Sequence, residues 1–171
     1  MSEELLKAII QLFAIVTRER ITEDERNNIK EFLGLYLNRD AIKYYLNLFD
    51  GFASNYKVEE QDQASSTIDP ETQQFVDDWA KIMQITKKVN QALTTQQKQV
   101  LIVKIIELVF VDNRISERQS NLVFYIGQAL KIDQTDVKDL RDFVQVTISS
   151  QVPARPKLKP PTGAPPVTVT L

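Results

Sequence analysis

The chain contains neither cysteine nor histidine. That double absence excludes disulfide scaffolds, zinc fingers, cysteine nucleophiles, histidine-based triads and histidine-ligated metals. Glycine is scarce, with four residues in 171, and six of the seven prolines fall after residue 152. The body of the chain therefore has few breakers and few turn formers. No apolar run reaches the roughly eighteen residues a membrane span needs, because Lys104 and Glu107 interrupt the best candidate, QVLIVKIIELVFV. An excess of positive charge is missing too. Net charge is −2, and all 23 acids but only 18 of the 21 bases precede residue 151. An acidic body of that kind argues against nucleic acid as a partner. MSEELLKAII begins acidic, where a secretory leader begins basic. A soluble, cytoplasmic, non-enzymatic protein without a cofactor is the expectation, and no Gly-x-x-x-x-Gly-Lys-Ser loop suggests nucleotide chemistry.

What is present is helical periodicity. Ser2 can cap a first helix that is apolar on nearly every side from Leu5 to Val16, as a helix in the middle of a bundle would be. Thr22 and Glu25 form a capping box for a second helix, with Ile29, Phe32, Leu33 and Tyr36 as its buried stripe. A third is expected to start with Asp40 as its cap and to carry Tyr44, Tyr45, Leu48, Phe49 and Phe52. Residues 54–69 lack a sustained period and read as a loop. Asp69-Pro70-Glu71 restarts helix, with Phe75, Val76, Trp79, Ile82, Met83, Ile85 and Val89 on its apolar face. Thr94 or Thr95 opens the most apolar helix, Ser116 and Gln119 form a second capping box, and Asp133 opens a last helix bearing Val137, Leu140, Phe143 and Val144. The prediction is an all-α bundle of about seven helices over residues 1–150. Residues 151–171 read as a proline-rich linker whose final VTVTL alternates like the first strand of a further β-rich domain. An SH3-type polyproline ligand is the other reading of that tail.

Two stretches resemble each other at an offset of 94. VTRERITEDERNNI starts at Val16 and FVDNRISERQSNLV at Phe110, so Arg20 matches Arg114, Ile21 matches Ile115, Thr22 matches Ser116 and Ile29 matches Val123. Each half reads as an apolar helix, a polar elbow, an isoleucine and a capped second helix. Two such hairpins are expected to pack about a pseudo-two-fold axis with the apolar helices central.

The repeated elbow resembles that of the tellurite-resistance TerB-like helical domain, whose turn reads Ala-Asp-Gly-x-Ile-Ser-x-x-Glu. The likeness spans roughly residues 3–145. VDNRISERQ keeps Asp112, Ile115 and Ser116 but has Asn113 for Gly and Gln119 for Glu. TRERITEDE keeps Ile21, Thr22 and Glu25 but has Arg18 for Asp and Glu19 for Gly. The resemblance implies a helical module defined by fold more than by a reaction, divalent metal held by acids in the elbows, and assembly with membrane-associated partners. It also implies an N-terminal module of a larger chain, such as an ABC-type transport ATPase, at the inner face of the membrane.

The candidate metal ligands are Asp112, Glu117, Glu25 and Glu23, among elbow acids that also include Glu19 and Asp24. Hard cations want six to eight oxygens. Acids at helix starts also cap amides and oppose the helix dipole, and Arg18, Arg20, Arg114 and Arg118 offset the charge a cation needs. Capping is the favoured reading and metal the alternative. Asp77 and Asp78 point about 100° apart on one helix, so they do not converge on a substrate atom and read as a solvated face. The aromatic run Tyr36, Tyr44, Tyr45, Phe49, Phe52 and Tyr56 reads mainly as core, with a partner groove as the alternative. The functional expectation is a helical interaction or regulatory module of a larger membrane-associated or stress-response assembly, binding protein partners or adjacent domains. The competing expectation is a calcium or magnesium sensor.

Overall fold

A computed structural model describes residues 1–62 and 67–151 of the chain. The proline-rich tail and VTVTL lie outside the described residues, as do residues 63–66 of the expected loop. Seven helices account for the described chain: α1 Glu3–Thr17, α2 Glu23–Gly34, α3 Arg39–Asp62, α4 Pro70–Ala92, α5 Thr95–Phe110, α6 Glu117–Ala129 and α7 Gln134–Gln151. No strand occurs among the described residues, and no helix there is long and apolar enough to cross a membrane.

The helix starts follow the cap chemistry. Ser2, Thr22, Asp69, Thr94 and Ser116 each accept a bond from an amide three residues on, and Thr22, Thr94 and Ser116 complete full capping boxes. α3 departs from expectation. Asn38, not Asp40, accepts from the Ala41 amide and starts the helix. The helix then runs on through residues 54–62, which the sequence reads as loop. Tyr45, Phe49, Ala53 and Tyr56 fall at three- and four-residue spacings on its buried side, so the stripe continues where Ser54 and Asn55 mask it.

α1 is the central rod, buried from Leu12 through Arg18 with no break, and it packs on α3, α4, α5 and α6. The pairings repeat with the sequence. α1 lies on α3 and α5 on α7; α2 on α3 and α6 on α7; α2 also meets α5, and α6 meets α1, while α1 and α5 meet each other. Exchanging the first three helices with the last three carries each of these pairings into another or into itself, as a pseudo-two-fold arrangement requires; α5 also packs on α6, a pairing without an equally strong α1–α2 counterpart. α4 has no counterpart. It packs on α1 and α6, bridging one half to the other.

Several expected core residues are not core. Tyr36 is half exposed because α2 ends at Gly34, two residues before it. Phe143 and Met83 are also exposed, each one position off the faces set by Val144 and Ile82, and Phe75 and Val76 are exposed in the second turn of α4. The aromatic run splits accordingly: Tyr45, Phe49 and Tyr56 are buried, whereas Tyr36 and Tyr44 face outward.

The α6–α7 joint is tight. Ile132 donates to the Gly127 carbonyl and Lys131 to that of Gln128, a Schellman closure that puts Lys131 at φ 60 where glycine is usual. A Cβ on Gly127 would stand 2.6 Å from a Val137 methyl. Gly127→Ala is therefore expected to destabilise the fold by about 1–3 kcal/mol through overpacking, and adding Val137→Ala recovers part of that loss. Lys131→Gly is expected to act oppositely, stabilising by about 0.5–1 kcal/mol through relief of the left-handed backbone. Urea unfolding midpoints check all three.

Candidate functional site

The two elbows, the segments joining α1 to α2 and α5 to α6, meet each other. Arg20 of the first donates to Asp112 of the second at 2.8 Å. Ser116 donates its hydroxyl to Glu19 at 3.0 Å, and Arg118 lies 3.4 Å from the other Glu19 oxygen. The duplicated motif thus builds one shared polar centre rather than two separate ones.

Their backbones are not equivalent. In the second elbow the Asn113 amide bonds to the Phe110 carbonyl and Asn113 sits at φ 55. It occupies the glycine place of the turn, and asparagine tolerates that left-handed conformation better than most residues. In the first elbow the closing bond is one residue later, from the Arg20 amide to Thr17, and Glu19 keeps a negative φ. The shift leaves the carbonyl of Val16, counterpart of Phe110, without that bond. Gln119 fills it: its Nε2 donates to Val16 at 3.1 Å while its Oε1 accepts from the Ser116 amide. A carboxamide can do both and an ionised carboxylate cannot, which fits glutamine at a position where the family's turn has glutamate.

Arg18 stands where the repeat would place an acid, and it turns inward. Its side chain is about 1% exposed, with a guanidinium nitrogen 2.6 Å from Asp78 of α4. The other Asp78 oxygen is 3.2 Å from Arg118, so one buried carboxylate joins the α1 elbow, α4 and the start of α6. This corrects the sequence reading of Asp78 as part of a solvated face. Asp77, its neighbour, is partly exposed and accepts from Gln73 four residues earlier. Charges this deep persist when they are paired and hydrogen-bonded, and removing one partner is costly.

The candidate metal ligands are occupied with other work. Glu25 is buried and accepts from the Thr22 amide at 2.8 Å. Burial pushes its carboxyl above the ordinary range, against the lowering effect of the Thr22 bond, and the Asp112 charge raises it further. Asp112 accepts from Arg20 and, through its other oxygen, from the Arg114 amide. Glu23 and Glu117 are exposed on the first turns of α2 and α6. The structure brings Glu25 and Asp112 close enough to feel each other. Among the described residues it assembles no group of three or more acids suited to a metal ion.

Asp78→Ala is expected to lower stability by about 3–5 kcal/mol, since it removes the buried carboxylate that pairs with Arg18 and Arg118. Asp77→Ala should stay within about 0.5 kcal/mol. Gln119→Glu loses the donor to Val16 and should cost about 1–3 kcal/mol. Glu25 gives a pH signature of known sign. Its folded-state pKa is raised by burial, so the native state holds its proton more tightly than the unfolded chain does. That contribution is fully present below the unfolded pKa and is lost as pH rises through the folded value. Glu25→Gln should flatten this decline, and chemical unfolding across the mildly acidic range reads it.

Two of the surface cavities have volumes near 600 Å³. One, of about 600 Å³, is apolar and lies where α1 and α5 begin; the other, of about 610 Å³, lies between the first turns of α4 and α6. Sequence reasoning identified the elbows but missed Asp78, the inward turn of Arg18 and the Gln119 bridge. The signal for the first was present in the two arginines with no acid at the repeat position.

Comparison with known proteins gives a family and nothing narrower. No curated protein and no solved structure matches the chain. The family model described as tellurite resistance protein TerB matches residues 6–142, which include both elbows and all of α2 to α6. With its paired hairpins and duplicated elbow, the chain belongs to the TerB family.

Proposed function

We propose that this chain is a non-catalytic interaction module that receives an apolar segment of a protein partner or of an adjacent domain. The observation carrying this reading is the apolar groove at the starts of α1 and α5. Leu5, Ile9, Phe32 and Leu101 line it. Met1, Tyr36 and Val100 stand on the same groove with 56%, 51% and 60% of their surfaces open to solvent. Contiguous exposed apolar residues on an otherwise charged protein mark interaction surfaces. Among the described residues Lys104 is the one charged side chain in the lining, and its ammonium is held 2.6 Å from Glu107. A groove with so little charge favours an apolar side-chain row over an ionic ligand.

The scaffold behind the groove is suited to presentation. Phe13 and Phe32 meet edge to face with centroids 5.2 Å apart, and Phe32 meets Tyr36 at 5.4 Å, so the groove wall continues the core. A wall of that kind needs little ordering on binding, which lowers the entropic cost of association. Family membership supports a place in a stress-response assembly, and the cytoplasmic face of a membrane is the location we assign to it.

A photo-crosslinking residue at position 100 should trap a discrete protein partner in cells, while the same residue at Lys87 on the outer side of α4 should not. Tyr36→Ala should weaken that adduct about tenfold, the effect of losing one aromatic anchor. Equal labelling from both positions, or none from position 100, would sink the reading. Melting in millimolar calcium or magnesium separates the cation-sensor alternative. An ion held by Asp112, Glu117, Glu25 and Glu23 at a hundred times its Kd would add about 2.7 kcal/mol and raise the melting point by several degrees; the expected shift is below about 1 °C.

A further inference from the structure

The cavity between α4 and α6 differs in character from the apolar groove. Its floor is aromatic: Phe75 of α4 meets Tyr125 of α6 edge to face with centroids 5.0 Å apart, and Leu122 lies beside them. Its rim is acidic, with Asp69 and Glu71 from α4 and Glu117 from α6. Arg118, the one base in the lining among the described residues, is engaged with Asp78 and Glu19. Phe75 keeps 44% of its surface open, although it is a large apolar ring packed in a helical bundle.

Aromatic rings edged by carboxylates recognise one peptide chemistry well. Proline rings lie flat on aromatic faces in a preformed extended helix that loses little entropy on binding, and neighbouring lysines or arginines meet the acids. The chain carries such a segment. Residues 153–161, PARPKLKPP, hold four prolines and three bases with no acid, whereas every acid of the protein precedes residue 151.

The segment is long relative to α6, one of the helices it would cross. α7 ends at Gln151 and begins beside α6, where Gln134 donates to the Phe124 carbonyl and Val137 sits against Gly127. α6 is only about 20 Å long at 1.5 Å per residue. Ten residues in an extended proline-type helix span about 30 Å at 3.1 Å each.

We propose that residues 153–161 dock in the α4–α6 groove of their own chain, with prolines on Phe75 and Tyr125 and with Lys157 and Lys159 facing Glu71 and Glu117. The segment then lies across the two helices that Asp78 ties together.

Limited trypsinolysis of the full-length chain tests this. Lys157–Leu158 is the one readily cleaved bond in the segment, because Arg155 and Lys159 each precede proline. Cleavage tracks the undocked population. The bond should be cut at least about fivefold more slowly than in a free peptide spanning residues 151–165. Glu71→Gln/Glu117→Gln should restore the peptide rate, and so should Phe75→Ser. Because those changes alter exposed side chains on the folded domain, Lys157 cleavage is read beside circular dichroism to confirm an intact bundle. A rate equal to that of the free peptide overturns the proposal. Protection that survives both groove variants places the segment elsewhere and also overturns it. Protection that grows with protein concentration means docking between copies, and overturns the intramolecular assignment.

Discussion

One buried carboxylate ties the parts of this protein together. Asp78 reaches Arg18 at 2.6 Å and Arg118 at 3.2 Å, and so connects the end of α1, the middle of the unpaired helix α4 and the start of α6. Hydrophobic burial alone would let these helices slide, since dispersion and desolvation have little directional preference. Two guanidinium groups on one carboxylate do have a direction, because a mis-set helix leaves charges in the core without partners. Replacing such a cluster with apolar residues can leave stability unchanged, so its contribution here is to the choice of arrangement.

That choice is linked to a break in symmetry. In a perfect duplication Arg20–Asp112 would have a mirror pair between residue 114 and an acid at 18. Arginine at position 18 removes the mirror pair and points instead to α4, the one helix the repeat does not supply. The same elbow closes its turn one residue later than its twin, and Gln119 takes up the carbonyl this leaves at Val16. A symmetric clasp has become a keyed one, with the Arg18 deviation matched by Asp78 of α4 and the shifted turn matched by Gln119 of the other half.

Most of the fold was legible because helix starts are local chemistry. Ser2, Thr22, Asp69, Thr94 and Ser116 sit where a hydroxyl or carboxylate can meet an amide three residues on, and the structure places a helix at each. Helix ends were less legible. Gly34 stops α2 before Tyr36 can be buried, and α3 continues through Ser54 and Asn55 because Tyr56 still has core to meet. The site was half legible. The elbows announced themselves by repetition, but whether Asp77 or Asp78 faces inward depends on how α4 sits on α1, a long-range fact. Glu25 and Asp112 were read as ligand candidates from type and spacing, whereas their partners Thr22 and Arg20 show how capping and pairing engage the same oxygens.

The residue after Asp78 is the chain's single tryptophan, partly buried and set edge-on to Tyr125 with centroids 6.3 Å apart. Its indole therefore sits one peptide bond from the carboxylate that seats α4 and against the ring that floors the α4–α6 groove. Selectively excited emission from this one indole reads out the seating of one helix without any label, and distinguishes a loosened α4 from a globally melted bundle in the unmodified protein.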